Sequence, residues 1–161
     1  MKLGRLLFLF ALTVGLSAQT LAQSSSSVVK VRPGASTYSV KQGTAAKLEV
    51  VLDIDSGYHI NSNRPTDRNL VATTLKFDKL PGLVLTPVAY PKAKMQKFEF
   101  SEKPLSVFEG NTVLRFTARA TPTLPAGSHT LKGKLTIQAC NDQLCLRPQT
   151  VDVSIPVEVV K

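Results

Sequence analysis

The sequence predicts an all-β domain, a sandwich or a barrel. Three observations carry this. Short stretches of alternating apolar and polar residues recur, as in Leu131, Gly133, Leu135 and Ile137 and again in Val151, Val153, Ile155 and Val157. Ten prolines and nine glycines punctuate the chain at turn-like intervals. No window offers an amphipathic helix of useful length. A period of two broken by frequent turns is the pattern of strands that each turn one face to a core.

The first 22 residues stand apart. Lys2 and Arg5 form a basic start, residues 6–16 are an apolar run, and residues 17–22 are small and polar, ending in Thr20-Leu21-Ala22 before Gln23. This is the layout of a cleaved secretory signal, too short for a membrane-spanning helix. Residues 23–27 are a serine-rich lead expected to be disordered, and residues 28–161 form a single domain. That length supports a hydrophobic core without help from a disulfide.

Strand patterns follow at residues 28–31, 44–54, 58–61, 70–77, 83–90, 111–120, 129–139 and 151–157. In the sixth, Leu114, Phe116 and Ala118 keep phase. Pro81-Gly82 and residues 122–127 are connections. One segment breaks the pattern: residues 91–104, PKAKMQKFEFSEKP, are charged, flanked by prolines, and carry Phe98 and Phe100 around Glu99. Its phenylalanines either tuck back into the core or form a flap over something apolar or reactive.

Removing Lys2 and Arg5 with the signal lowers the net charge from +9 to +7. The basic residues are scattered, with one cluster at Lys92, Lys94 and Lys97, and no aromatic interleaving marks a nucleic-acid interface. The charge serves solubility and can steer the domain toward an acidic surface. No Ser-His-Asp grouping, phosphate-binding glycine loop or paired-carboxylate signature is present, no cofactor is implied, and the mature domain is expected to be a soluble monomer.

The chemistry concentrates in Gln138-Ala139-Cys140-Asn141-Asp142-Gln143-Leu144-Cys145-Leu146-Arg147-Pro148, which holds the only two cysteines. Strand patterns flank it, so the cysteines fall at the shoulders of a hairpin loop, where a disulfide needs a Cα separation of about 4.4–6.8 Å. Outside the cytosol such a pair is expected to be oxidised. Closing so short a loop stabilises a fold by only about 2 kcal/mol, which makes it a weak staple. Two readings stay open on spacing alone: a redox-active pair, or a small structural bridge. A metal site is third, because the paired Cys-x-x-Cys knuckles that mark a zinc site are missing. A copper(I) carrier using Cys140, Cys145 and Met95 or His59 is a further alternative, since soft sulfur suits that ion. An exported adaptor that grips a partner with its phenylalanine loop is another.

Three stretches together resemble a known family. They are Gly57-Tyr58-His59-Ile60-Asn61-Ser62; Tyr90-Pro91 with Lys97-Phe98-Glu99-Phe100 and Phe108-Glu109-Gly110; and Gln138-Ala139-Cys140 through Cys145-Leu146-x-Pro148. In this order they resemble the periplasmic N-terminal domain of the thiol:disulfide interchange protein DsbD, over residues 28–159. The resemblance implies an immunoglobulin-like β-sandwich and a redox-active Cys140–Cys145 pair, the working part of a protein-disulfide reductase. A membrane-embedded thiol reductase would donate electrons to it, and periplasmic thioredoxin-like proteins would accept them. It implies a cap loop at residues 97–100, with Phe98 or Phe100 as the covering ring beside Glu99. It also makes Cys145 the cysteine that joins the partner and Cys140 the one that resolves, with Tyr58, His59, Asn61 and Arg147 as the supporting shell. Two features depart from the best-known members. They have one more residue between the cysteines, and they carry tyrosines where this chain has His59 and Asn61. The chain ends at Lys161, so donor and acceptor are expected to be separate proteins.

Overall fold

A computed structural model describes residues 24–161. The expected signal sequence lies outside them. Twelve strands follow one another: β1 (Val29–Pro33), β2 (Tyr38–Lys41), β3 (Ala45–Ile54), β4 (His59–Asn61), β5 (Thr74–Phe77), β6 (Leu83–Leu85), β7 (Lys94–Gln96), β8 (Leu105–Phe108), β9 (Asn111–Ala120), β10 (Gly127–Ile137), β11 (Ala139–Cys140) and β12 (Gln149–Val160). Two four-stranded sheets, β1-β3-β9-β6 and β2-β12-β10-β5, pack face to face. A third, smaller sheet, β11-β4-β8-β7, closes one end. The domain is an all-β, immunoglobulin-like sandwich.

The alternation read from the sequence sets which residues face inward. On β9, Leu114, Phe116, Ala118 and Ala120 are buried while Arg115 and Arg119 are exposed. On β10, Leu131, Gly133, Leu135 and Ile137 point in, and on β12, Val153, Ile155, Val157 and Val159 do the same. These join Leu48, Val50 and Leu52 of β3 in one apolar core. Burying each valine, leucine, isoleucine or phenylalanine among them stabilises the fold by about 1.5–3 kcal/mol. The rings of Phe77 and Phe116, one from each large sheet, meet at 4.6 Å between centroids and pin the layers together. Gly133 is required by packing. A Cβ there would lie 2.7 Å from the Lys76 carbonyl oxygen and from the Phe77 ring, so only glycine lets β5 approach β10.

Several boundaries differ from the expected ones. The strand expected over 70–77 begins only at Thr74, and that over 83–90 ends at Leu85, with Ala89 making a lone bridge to Arg115. β2, β7 and β8 carry no sequence signal long enough to read: each has three or four residues. The serine-rich lead, expected to be disordered, is ordered where it is described. Ser25–Ser27 form one 3-10 turn and Ser25 is completely buried. The reason lies in the site it holds.

Candidate functional site

β10 and β12 pair over their whole length, from Gly127↔Val159 to Ile137↔Gln149. The cysteine stretch is what lies between, an excursion at the end of this hairpin. Instead of turning at once, the chain leaves the large sheet, and Ala139 and Cys140 join the small one against β4, with Ala139↔Ile60 and Cys140↔His59. It returns through a tight turn. The Asn141 side-chain oxygen accepts from the amides of Gln143 and Leu144, both at 2.9 Å. An asparagine that bonds the backbone two residues on is a turn-former for this reason. Below it, the Leu146 amide donates to the Ala139 carbonyl at 2.8 Å.

Cys140 and Cys145 face each other across this small loop and form a disulfide, with Cα atoms 3.9 Å apart. That is closer than the window expected for the pair. The two sulfur-bearing residues differ in access: Cys140 is completely buried, and Cys145 is half-buried. Leu144, next to Cys145, is exposed.

Ser25 clamps the base of the loop. Its hydroxyl donates to the Arg147 carbonyl at 2.7 Å and accepts from the Ala139 amide at 2.9 Å, so one side chain ties both arms together. Sequence reasoning missed this residue, which stands 122 positions before Arg147. A second tie runs through Gln138. Its side-chain oxygen accepts from Asn61 Nδ2 at 3.1 Å and from the Val71 amide at 2.9 Å.

The small sheet has two unlike faces. Ile60, Phe108 and Ala139 turn toward the main core. The alternate residues turn the other way: His59 opposite Cys140, and Asn61 opposite Val107. Phe98 lies on this second face. It is 4% exposed, packs with Leu105 and Val107 in a satellite cluster, and stacks on the His59 ring at 4.0 Å between centroids. Phe100 stacks in turn on Phe98 at 5.5 Å and is itself exposed. The charged segment thus tucks one phenylalanine in and leaves the other out. Glu99 and the Arg147 side chain are exposed, and Tyr58 is half-buried against the core.

Beside the cysteine loop opens a cleft of about 570 Å³, lined by Tyr58, His59, Lys94, Gln96, Glu109 and Asp142 among others. Lys94 and Glu109 form an ion pair across it at 3.0 Å. His59 is 2% exposed, and burial holds its pKa below the ordinary histidine value, although Glu109 and Asp142 pull the other way. Met95 sits between Lys94 and Gln96 on β7. Strand alternation therefore sends it away from the cleft, and it is exposed. No group of three or more His, Cys, Asp or Glu side chains converges on a metal position among the described residues.

The architecture and site define a class: a β-sandwich that carries one disulfide on an end loop, between one buried and one half-buried cysteine. A family profile described as the N-terminal region of the thiol:disulfide interchange protein DsbD matches residues 26–156. The chain belongs to this family of thiol:disulfide interchange domains. A search of curated protein sequences returned no match. Solved structures with similar folds include the major pilin subunit BcpA of Bacillus cereus, at 10% identity and a TM-score of 0.43, covering 82% of this chain and 40% of that one. The periplasmic chaperone SfaE matches at 13% identity and a TM-score of 0.34, covering 82% of this chain and 60% of its own. A PapD-like domain of human CEP192 matches at 9% identity and 0.38, covering 100% of this chain and 97% of its own. The chain spans about two-fifths of the pilin's length. Among the described residues no helix is long and apolar enough to cross a membrane.

Proposed function

We propose that this domain relays electrons in the periplasm, taking them from a membrane-embedded thiol reductase and passing them to thioredoxin-like proteins through Cys140 and Cys145. The observation that carries the reading is the asymmetry of the pair. Thiol-disulfide exchange needs one sulfur that a partner can reach and one that stays behind to resolve the mixed disulfide. Cys145 is half-buried beside the exposed Leu144, while Cys140 is sealed between β4 and the loop. Cys145 joins the partner, and Cys140 resolves.

Phe98 serves as the cap, and Phe100 is its outer layer. Reduced thiols in an oxidising compartment are lost to any passing oxidant, so a ring over their face protects them until a partner displaces it. Glu99 is exposed at the crest of this loop, where a docking partner would meet it. Tyr58, His59 and Asn61 form the wall behind the pair. The exposed Arg147 favours thiolate formation at Cys145, and the nearby Asp142 opposes it. The chain reaches the periplasm through residues 1–22 as a cleaved signal, and acts as a soluble monomer.

The test is the equilibrium reduction potential of the pair, by titration against glutathione with thiol trapping. A value of roughly −180 to −270 mV is expected, the range of exchange proteins. A bridge still oxidised below about −300 mV would make it structural. In a second test, Cys140→Ala should accumulate partner-linked species through Cys145. Linkage through Cys140 in a Cys145→Ala variant would overturn the assignment of roles.

A further inference from the structure

Two buried side-chain polar atoms among the described residues lack a hydrogen-bond partner: His59 Nε2 and Asn61 Oδ1. Both belong to β4, two residues apart, on the face that also carries Cys140. An unpartnered buried polar group costs about 1–3 kcal/mol. Such groups are rare enough in native proteins that each needs a reason.

His59 and Cys140 stand directly opposite each other in the β4–β11 ladder. Side chains of such a pair lie on the same side of the sheet, with Cβ atoms about 4.5–5.5 Å apart. Cys140 is completely buried, so a negative charge formed on its sulfur finds no water to stabilise it. The Phe98 ring stacks on the imidazole and closes the same face. A buried sulfur that must leave as a thiolate therefore stands beside a buried ring nitrogen with nothing to bond.

We propose that His59 is the proton-holding partner of Cys140, taking up a proton when the disulfide opens and accepting the Cys140 proton when the disulfide re-forms. The proposal deepens the carrier reading above and rests on it for its use in the cell. In the reducing step a donor thiolate bonds to Cys145 Sγ, the Cys140–Cys145 bond breaks, and its electron pair stays on Cys140 Sγ. The proton that the donor thiol sheds is regained from water by the His59–Cys140 pair. The donor's second thiolate then attacks its own mixed disulfide, releases Cys145, and leaves the donor oxidised. In the oxidising step the Cys145 thiolate attacks an acceptor disulfide. Cys140 gives its proton to His59 and attacks Cys145 Sγ. The disulfide re-forms, and the electron pair leaves on the acceptor sulfur, which takes the proton. The donor's second proton goes to water when Cys145 leaves as a thiolate, and the acceptor sulfur displaced first by Cys145 takes a proton from water, so two electrons and two protons pass overall from donor to acceptor.

Other ionisable groups also bear on His59. Glu109 follows β8, Asp142 lies on the cysteine loop, Lys94 is on β7, and Asp55 and Tyr58 are on the turn before β4; all line the same cleft. The two acids favour an imidazolium and are present in both redox states, so they do not make its titration redox-linked. Only the sulfur changes.

The experiment follows the His59 ring by NMR across pH in the oxidised protein and in protein reduced by a phosphine, which needs no biological partner. The His59 midpoint is expected to rise by at least about one unit on reduction, the effect of a new opposite charge nearby. His59→Phe keeps a ring to stack on Phe98 and removes both nitrogens. In that variant, oxidation of the reduced pair by oxidised glutathione at pH 7 should slow by about tenfold or more. Its pH profile should move up toward the free-thiol value of about 8.5. The same His59 midpoint in both redox states, or superimposable rate profiles, would overturn the proposal. Should His59→Phe fail to fold, the wild-type titration decides alone. A reduction potential below about −300 mV would remove the carrier reading, while a redox-linked His59 midpoint would still uphold the pairing of His59 with Cys140.

Discussion

The two faces of the small sheet are made from the same strands and do opposite things. Ile60, Phe108 and Ala139 face the main core and are wholly apolar. One residue along, His59, Asn61 and Cys140 face a thin cover built on Phe98, and they include two polar atoms with nothing to bond. The first face is packed for stability. The second accepts a cost that a purely structural sheet would avoid. The difference teaches that the period of two, which anchors this sheet, also lets it display chemistry a single residue away from its anchor.

The strongest way to break the contrast is to cut the anchoring face. Phe108→Ala removes a buried ring from the main core and should cost about 3–5 kcal/mol, measured by urea unfolding. If it cost no more than changes on the other face, the two faces would not be distinct. Ser25→Ala is next. It leaves the buried Ala139 amide without its acceptor and should cost about 1–3 kcal/mol. Exchange of the Ala139 amide with deuterium should accelerate, while amides of the β3–β9 ladder keep their protection.

Phe98→Ala sharpens the contrast from the other side. It should cost about 1–3 kcal/mol, because its cluster is small. The reduced thiols should react faster with oxidised glutathione, whereas Phe100→Ala should leave stability almost unchanged. Equal reaction rates in both variants and the wild type would mean that neither ring shields the pair.

The smallest effect is on pH dependence. Burial lowers the His59 pKa in the folded state, so below its ordinary value of about 6.5 the unfolded chain binds the proton more readily. Stability is therefore full above that pH and falls as pH drops from there toward the lower folded value. His59→Phe should flatten this part of the curve, as read by thermal unfolding between pH 7 and pH 5. A curve of the same slope in variant and wild type would assign the acid sensitivity to other groups.

The large sheets were legible because β9, β10 and β12 are ten or more residues long and alternate cleanly. β7 was not, because Lys94, Met95 and Gln96 form an edge strand with no buried apolar residue to mark it. β8 holds four residues squeezed between Pro104 and Glu109-Gly110, too few to establish a period. At the site, the cysteine pair and the Phe98 loop could be found from residue types and from the family resemblance. The His59–Cys140 register could not, since it depends on where β11 leaves the large sheet. Ser25 was hidden for a simpler reason. A serine in a serine-rich lead looks like its neighbours until the fold puts it against Ala139 and Arg147.

The Asn141 turn has a consequence for time as well as shape. Its two side-chain hydrogen bonds and the Leu146–Ala139 bond hold the loop without help from the sulfurs. With the bridge open, Cys140 and Cys145 remain neighbours, so each presents itself to the other at an effective molarity far above that of any free thiol. In the proposed relay, a mixed disulfide on Cys145 is therefore short-lived.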